Sequence, residues 1–496
     1  MGAGKHAVTQ EAFDALVREG MDEFDMAPHE AVDDAVRTLT MQGADLAGIV
    51  TAYSATGQRA QHPAAAAATQ LTAALAGWKE RQAGGDGAYS GAHFHAVVEA
   101  LCALRRALSP SVAGTPGGQA QQEGVGGEEG AAVAGRSASG EAAVVAGRNE
   151  GLPAAVGALG VVLGAVERGE KGGEAEEGEE EGGGLERAVC DALTCSEELL
   201  THVPGARDHF FRLSGPSLLA TALPVPPFSS CSLTRVAAVG STVRAASVEN
   251  EVIKEALMDA ALHVKLLNAI VGIIHSKRTA DGDGSVTDVA KAGSAMCACC
   301  GAVRALVTND DVRVAASNTF SNARTMADAG AVHVLLTAAA AFPAHVAVLP
   351  AVLAALKAIA VNEDICRSIA ALSGVPLVLA HLRAALASHC SPLAAPSAAL
   401  LAQLAGSDAN KVLIVETGGI PVLVEAVKAF VDDGAVLQEV WGCASRGMGL
   451  CFKRYGAVLQ EVWGCASRGM GLCFKRYGAA AASVQLSKCG TDEASL

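Results

Sequence analysis

Beyond residue 187, small residues and apolar runs recur along the chain with a long, regular period. Each small residue precedes a run of apolar residues at helical spacing, and these small residues are Gly215, Ala260, Gly330, Gly374 and Gly419. Successive positions lie 45, 70, 44 and 45 residues apart. Three of the four intervals match the period of about 40 to 47 residues that is typical of helical repeat proteins. The long interval indicates one repeat that carries an insertion of about 25 residues.

Each repeat also has an internal order of elements. Apolar helices are predicted at 348–361 and 394–405, and short polar breaks follow them at 362–364 and 407–410. Asn, Asp and Ser in these breaks can cap the next helix by accepting its free backbone N–H groups. The small residue further on allows a close approach or a positive φ angle. Because such units bury their apolar faces only against neighbours, we predict an all-α, armadillo-type α-solenoid, a right-handed superhelix, with its repeats over 187–430.

Two amphipathic stripes predict a two-helix segment within residues 1–50. The first stripe is Phe13, Leu16, Val17, Met21 and Phe24, and the second is Ala31, Val32, Ala35, Val36 and Leu39. Helices this short bury too little area to be stable alone, so the pair is expected to pack on the rest of the chain or on a partner. Residues 51–108 are predicted to be a truncated or degenerate first repeat region.

Residues 109–186 are dominated by Gly, Ala and Glu, a composition that does not support a packed core. We predict a low-complexity, acidic, Gly-rich insert that is mostly disordered. An apolar island at 152–166 predicts one helix that docks locally.

The C-terminal segment, 431–496, is predicted to hold the last repeat, and it contains an exact tandem duplication. The 22 residues of 434–455 recur without a change at 456–477. Structural repeats keep an apolar pattern and vary elsewhere, so identity indicates a recent duplication or a duplicated exon in the gene model. We predict that only one copy fills the native repeat.

The composition and net charge of the chain disfavour some classes of partner. Aromatic residues make up 4% of the 496, which favours closely packed helices, and the formal net charge is −15. Such a charge disfavours nucleic-acid and membrane-surface partners. The 14 cysteines are scattered and no signal peptide or membrane-spanning segment is predicted, so we expect an intracellular protein in the cytoplasm, with the nucleus left open.

Several residue clusters resemble sites but lack the spacing that chemistry needs. Cys297, Cys299 and Cys300 fall on one predicted helix and point in different directions. His93 and His95 have no further ligands at metal-site spacing, and residues 281–285 depart from a calcium loop. We therefore predict no catalytic residue, no metal, no cofactor and no enzymatic activity.

The extra length of the long repeat holds the candidate partner-binding residues. These are Asn309, Asp310, Asp311, Arg313, Asn322 and Arg324. Insertions in solenoids map to one face and often bind partners. In the structural alternative, the aspartates cap a helix and an arginine pairs with them.

Short motifs across the chain resemble the armadillo repeat-containing protein 6 family. They are 10–14, 17–19, 23–24, 30–32, 42–46, 49–50, 78–79, 309–313, 322–324 and 427–430. The stretch 51–70 is shorter than the resemblance leads us to expect, and the acidic Gly-rich block is not a family feature. The resemblance implies an armadillo superhelix and a protein-interaction function, and it supplies no catalytic residue.

The function that this architecture favours is a scaffold or adaptor that binds a peptide segment of a partner protein, of unknown identity, along the solenoid groove. One alternative is an RNA-binding α-solenoid, which needs basic side chains along the groove. The other alternative is a thiol- or metal-dependent enzyme, which needs a Cys, a His and an acid to converge in a pocket.

Overall fold

The computed structural model describes residues 6–7, 10–24, 26, 28–42, 44–45, 63–83, 92–108, 142–144, 146, 150–168, 183–283, 286–313, 318–343 and 345–443. The chain divides into two compact units. Unit 1 comprises Met1–Pro224 and Ser229–Ala261, and unit 2 comprises Val225–Phe228 and Leu262–Leu496.

Unit 1 begins with the predicted helical pair, α1 (Gln10–Glu23) and α2 (Pro28–Met41). A two-residue parallel pairing joins β1 (His6–Ala7) to β2 (Ala44–Asp45). The two helices pack on each other, and their shared core consists of Phe13, Val17, Ala31, Val32, Ala35 and Leu39. Both predicted stripes are therefore buried, with one correction, because Phe24 lies past the end of α1 and is 65% exposed.

The rest of unit 1 is a series of packed helices. Their bounds are α3 (Pro63–Ala83), α4 (Ala92–Leu108), α5 (Gly151–Glu167), α6 (Gly183–His202), α7 (Ala206–Arg212), α8 (Gly215–Ala222), α9 (Ser230–Ser247) and α10 (Glu251–Asp259). Helix α5 packs on α3 and α6, and α6 packs in turn on α4 and α9. Residues 63–108 thus pack as part of the unit.

Unit 2 opens with α11 (Leu262–Asp283) and continues in triplets of helices. The triplets are α12 (Val286–Val307), α13 (Thr319–Asp328) and α14 (Ala331–Ala341); α15 (Val348–Ile359), α16 (Glu363–Ala371) and α17 (Gly374–Ala387); α18 (Ser391–Leu404), α19 (Asp408–Glu416) and α20 (Gly419–Ala429). Helix α21 (Gly434–Cys443) follows and packs on α18. We refer to the members of a triplet as its first, second and third helix.

Helices at the same place in successive triplets pack on each other, most extensively the first helices. First helix α15 packs on both α12 and α18, and third helix α17 packs on α20. The buried residues of α15, including Val352, Leu353 and Leu356, are covered by these neighbours. This is the helix arrangement of armadillo repeats, so the predicted all-α, armadillo-type fold is confirmed.

A residue in the left-handed conformation precedes each third helix of unit 2 and also helices α5, α8 and α11, at a sharp turn of the chain. Before α5, α8, α11, α14, α17 and α20, these residues are Glu150, Ser214, Ala261, Gly330, Ser373 and Gly418, with φ between 54° and 87°. The periodic small residues of the sequence therefore mark the turn, but only Gly330 itself has a positive φ. The turn that the sequence pattern places at Ala260 has its left-handed residue one position later, at Ala261.

The glycines at 215, 374 and 419 are needed for a different reason, because another part of the chain approaches them too closely for a side chain. A Cβ atom on Gly374 would lie 2.6 Å from the carbonyl oxygen of Ile369, and one on Gly419 would lie 2.7 Å from that of Ile414. At Gly215 a Cβ would meet the Phe210 ring at 2.4 Å. Each clash is with the residue five positions earlier, so the same tight corner recurs in three repeats.

The apolar island of the predicted insert forms α5, as expected. Gly151 makes the same corner as the later glycines, because a Cβ there would lie 2.7 Å from the carbonyl oxygen of Ala146, five residues earlier. Helix α5 is buried along most of its length, Leu159 completely. It therefore has the features of a third helix. Residues 142–144 and 146 of the predicted insert are also helical and buried, and 183–186 begin α6, whereas the rest of the insert lies outside the described ranges. The other domain boundaries stay predictions.

Most of the duplicated segment, 444–477, lies outside the described residues, so the prediction for it stays open.

In the described residues, Val289–Val307 within α12 is long and apolar enough to cross a membrane by length and composition alone. Up to three such spans result if sharply bent helix pairs are counted. Half of this stretch is buried within the protein.

Candidate functional site

The candidate residues at 309–313 lie between α12 and α13, on the approach to a second helix. Arg313 donates from Nε to Oδ1 of Asp311 at 2.8 Å and from Nη2 to Oδ2 at 2.9 Å. The Arg313 backbone N–H also donates to Asp311 Oδ1 at 3.0 Å. The Asp311 side chain is buried and that of Arg313 is 59% exposed. This is the arrangement of the structural alternative, in which the aspartate organises its own loop.

The other candidates divide between structure and surface. Asn309 is exposed and Asp310 half-buried. Asn322 is buried and donates from Nδ2 to the carbonyl oxygen of Leu306 at 3.1 Å. Arg324 is exposed on α13 and lines an open depression with Phe320, Ser321, Thr325, Asp328 and Asn362. The six candidates thus lie on a loop and a second helix and do not share one surface, and partner binding by them stays a prediction.

Asn322 belongs to a recurring set of polar side chains in the second helices. At the equivalent position of the next repeats, the Cys366 thiol donates to the carbonyl oxygen of Ala360 at 3.8 Å, and Asn410 donates to that of Leu404 at 3.2 Å. The acceptors lie at the end of the first helix, where carbonyls have no partner within the helix. Asn410 Nδ2 also donates to the carbonyl oxygen of Cys366 in the preceding repeat at 3.0 Å. These side chains tie the first helix to the second and one repeat to the next.

We expect the substitution Asn410→Ala to lower the free energy of unfolding by about 1–3 kcal/mol, because the two buried hydrogen bonds from Asn410 Nδ2 to the carbonyl oxygens of Leu404 and Cys366 are lost. Chemical denaturation of the full chain measures this loss. Lys411→Ala, one residue along the same helix, removes a side chain whose ion pair with Asp408 is largely exposed, so this control should change stability by about 1 kcal/mol or less. Equal losses in the two variants would contradict the structural role of Asn410.

The cysteine cluster has the properties of a packed core. Cys299 and Cys300 are completely buried on α12, and Cys297 is half-buried. Burial raises the pKa of the Cys299 thiol to about 12 and holds the pKa of Cys300 well above its usual range. These thiols are therefore protonated and poor nucleophiles at neutral pH. In the part of the chain that the structure describes, three or more His, Cys, Asp or Glu side chains do not gather into a group able to hold a metal.

His381 is the buried titratable group of third helix α17. It is 4% exposed and its Nε2 atom has no hydrogen-bond partner. Burial lowers the pKa of its imidazole, although a backbone hydrogen bond with Pro343 acts in the opposite direction. The folded protein therefore favours the neutral ring, whereas the unfolded chain takes up a proton near pH 6.5.

It follows that stability depends on pH through His381. The unfolded state binds more protons than the folded state below pH about 6.5, so stability is complete above that value and is lost as the pH falls towards the lowered pKa of the folded state. We expect urea unfolding between pH 8 and pH 5 to show a smaller loss of stability in His381→Leu than in the unchanged protein. Parallel pH profiles for the two proteins would show that His381 does not contribute.

The third helices of unit 2 present equivalent residues in rows. Counting from the left-handed residue before each of α14, α17 and α20, the third, seventh and tenth positions lie on one side of the helix, since helical neighbours are three or four residues apart. All nine residues are exposed except Thr337, which is half-buried. We call them the third-helix face: His333, Thr337, Ala340, Pro376, Ala380, Arg383, Pro421, Glu425 and Lys428.

Charge is distributed differently over the second and third helices. Second helices α13, α16 and α19 carry the carboxylates Asp328, Glu363, Asp364, Asp408 and Glu416 and the cations Arg324, Arg367 and Lys411. Two of these cations pair with an aspartate three residues earlier. The ionised residues of α14, α17 and α20 are Arg383, Glu425 and Lys428, so these third helices have a small excess of positive charge in an acidic chain.

The N-terminal part of the chain has identifiable relatives. Residues 5–66 match the family model described as the armadillo repeat-containing protein 6 N-terminal domain. The resemblance to the armadillo repeat-containing protein 6 family is confirmed. Human armadillo repeat-containing protein 6 is 47% identical over 57 residues, which are 11% of this chain and 11% of the human protein. The chain thus matches about a tenth of the length of its curated relatives.

Solved structures resemble the chain at low identity. A designed armadillo repeat protein, YIII(Dq)4CqI, is 13% identical with a TM-score of 0.42, and the match covers 60% of this chain and 99% of the designed protein. An engineered protein from a structural genomics consortium is 15% identical with a TM-score of 0.44, and here the match covers 88% of this chain and 94% of the other. The armadillo-type description of the fold rests on the helix triplets themselves.

Proposed function

We propose that the chain is a protein-interaction scaffold that receives an extended segment of a partner protein across the third-helix face. The observation that carries the proposal is the shared register of α14, α17 and α20, which gives each helix equivalent exposed positions, and α17 and α20 pack side by side. An extended chain crossing such rows meets the same kind of contact at each repeat. The small residues Ala340 and Ala380 leave room for a peptide backbone to approach the helices.

The buried thiols and the ion pair of Asp311 with Arg313 support this assignment indirectly. Both have structural roles, so neither of these two groups offers a reactive side chain at the surface. A binding function, by contrast, requires an accessible surface of defined shape, and the third-helix face is such a surface.

The proposal is tested by selecting peptides from a random displayed library against the full chain and measuring their affinity for two variants. Ala380→Trp places a bulky ring in the centre of the third-helix face and should weaken the selected peptides at least tenfold. Ser368→Trp adds the same ring to an exposed position of second helix α16 and should leave affinity unchanged. Selected peptides that are insensitive to Ala380→Trp, or sensitive only to Ser368→Trp, would contradict the proposal.

A further inference from the structure

The two cations of the third-helix face occupy equivalent positions in neighbouring repeats. Arg383 of α17 follows Ser373, and Lys428 of α20 follows Gly418, each at the tenth position after its left-handed residue. Helices α17 and α20 pack directly on each other, and both side chains are exposed. Neighbouring packed helices are about 8–10 Å apart, so the two positive charges form a short row across the face.

The guanidinium of Arg383 is held in place by the next repeat. Its Nη2 atom donates to the carbonyl oxygen of Thr417 at 3.2 Å, and Thr417 is the C-cap residue that follows second helix α19. Arginine has five N–H donors, and this bond uses one of them. The contact fixes the direction of a flexible side chain, which lowers the entropy that a ligand must overcome to bind it.

One negatively charged side chain lies on the third helices near this row of cations. Glu425 lies on α20 one turn before Lys428, at the position equivalent to Ala380 of α17. Helix α14 carries no Lys, Arg, Asp or Glu, and Ala340 stands at its equivalent position. Two cations of the second helices differ, since Arg367 and Lys411 pair with aspartates of their own helices, and the third, Arg324, lies on α13 outside this row. The third-helix face therefore offers its cations to a ligand from outside the repeats.

We infer that the partner segment received by this face is acidic, with two carboxylates that bind Arg383 and Lys428. The inference rests on the proposed function and specifies its ligand. A segment in the extended polyproline II conformation advances about 3.1 Å per residue with three residues per turn, so carboxylates three residues apart lie on the same side and span the distance between neighbouring helices. A segment with Asp or Glu at positions i and i+3 therefore fits the row, whereas a basic segment meets like charges.

The test uses three fluorescein-labelled peptides that share an alanine framework and differ at two sites three residues apart. One carries Asp and Glu, the second Asn and Gln, and the third two lysines. Fluorescence anisotropy with the full chain at low ionic strength should show the acidic peptide binding at least tenfold tighter than the neutral one. Equal affinity of the acidic and neutral peptides, or tighter binding of an eight-nucleotide oligouridine than of the acidic peptide, would overturn the inference.

Charge reversal separates recognition from folding. The double variant R383E/K428E should lose the acidic peptide and gain the lysine peptide, an exchange that an unfolded protein does not produce. R367E, which reverses an exposed arginine of second helix α16, should bind all three peptides as the unchanged protein does. Failure of the double variant to exchange its preference, with its circular dichroism melt unchanged, would overturn the inference.

The inference and the proposed function fail in different ways. If the library peptides are blocked by Ala380→Trp but show no enrichment of Asp and Glu, the third-helix face binds partners and the acidic specificity is wrong. If no selected peptide responds to Ala380→Trp, the proposed function itself is wrong.

Discussion

Replacing Leu159 by alanine is expected to lower the free energy of unfolding of unit 1 by about 2–5 kcal/mol. Leu159 is completely buried in the middle of α5. The side chains of Leu75 on α3 and Leu218 on α8 lie beside the same helix, next to Gly157 and Gly160. Removing the leucine leaves a cavity between helices that the neighbouring repeats cannot fill without moving. Denaturant unfolding followed by far-ultraviolet circular dichroism measures the loss.

The control for this substitution lies on the same helix. Glu167→Ala changes an exposed residue at the end of α5 and should leave the unfolding curve within about 0.5 kcal/mol of the unchanged protein. If Leu159→Ala is as mild as Glu167→Ala, α5 is not an integral part of the packed repeats.

The double substitution Gly374→Ala with Gly419→Ala should destabilise unit 2 by about 2–6 kcal/mol, the sum of two overpacked corners. At each position the added methyl group would lie less than 3 Å from a backbone carbonyl and from an isoleucine methyl group. The carbonyls of Ile369 and Ile414 belong to the preceding second helices, so relief of the clash requires the second and third helices to separate. Thermal unfolding of the double variant and of each single variant measures the effect.

Gly184→Ala supplies the matched control, because a Cβ there has no atom within 4 Å. Alanine is the better helix former, so this variant should be neutral or stabilised by up to about 1 kcal/mol. A double variant as stable as Gly184→Ala would show that the corners are not close-packed.

The repeat period could be predicted from the sequence because each repeat places a small residue, most often glycine, at the same corner. What the period does not reveal is which residue has the positive φ. At Ser373 and Ser214 a serine adopts the left-handed conformation, and the glycine beside it is required by the approach of the chain five residues earlier. Both demands favour a small residue, so a pattern of small residues locates the corner but not its conformation.

Helix α5 shows how composition can hide a repeat. The glycines and glutamates around it dominate the local composition, which places the segment in the insert although its apolar run predicts a helix. A local signal was present, since Gly151-Leu152-Pro153 has the same pattern as Gly374-Val375-Pro376 and Gly419-Ile420-Pro421. Comparing these tripeptides would have placed a third helix at 151.

The candidate site was harder to predict than the fold. Charged residues in an irregular segment, such as Asp311 and Arg313, look available in a sequence, but whether they pair with each other depends on the path of the loop. The third-helix row had a weaker signal, the spacing of 45 residues between Arg383 and Lys428. It becomes meaningful only when the register of neighbouring helices shows that the two residues are equivalent.

Hydrogen exchange of the unliganded full chain, resolved by mass spectrometry, tests most directly whether the helices form one cooperative series of repeats in each unit. Backbone amides in buried, packed helices exchange only when the unit opens. We predict slow exchange in α5 that matches α6 and α9 in unit 1, and slow exchange shared by α14, α17 and α20 in unit 2. Exchange in α5 or α17 as fast as in an unstructured peptide, while neighbouring helices stay protected, would contradict the account.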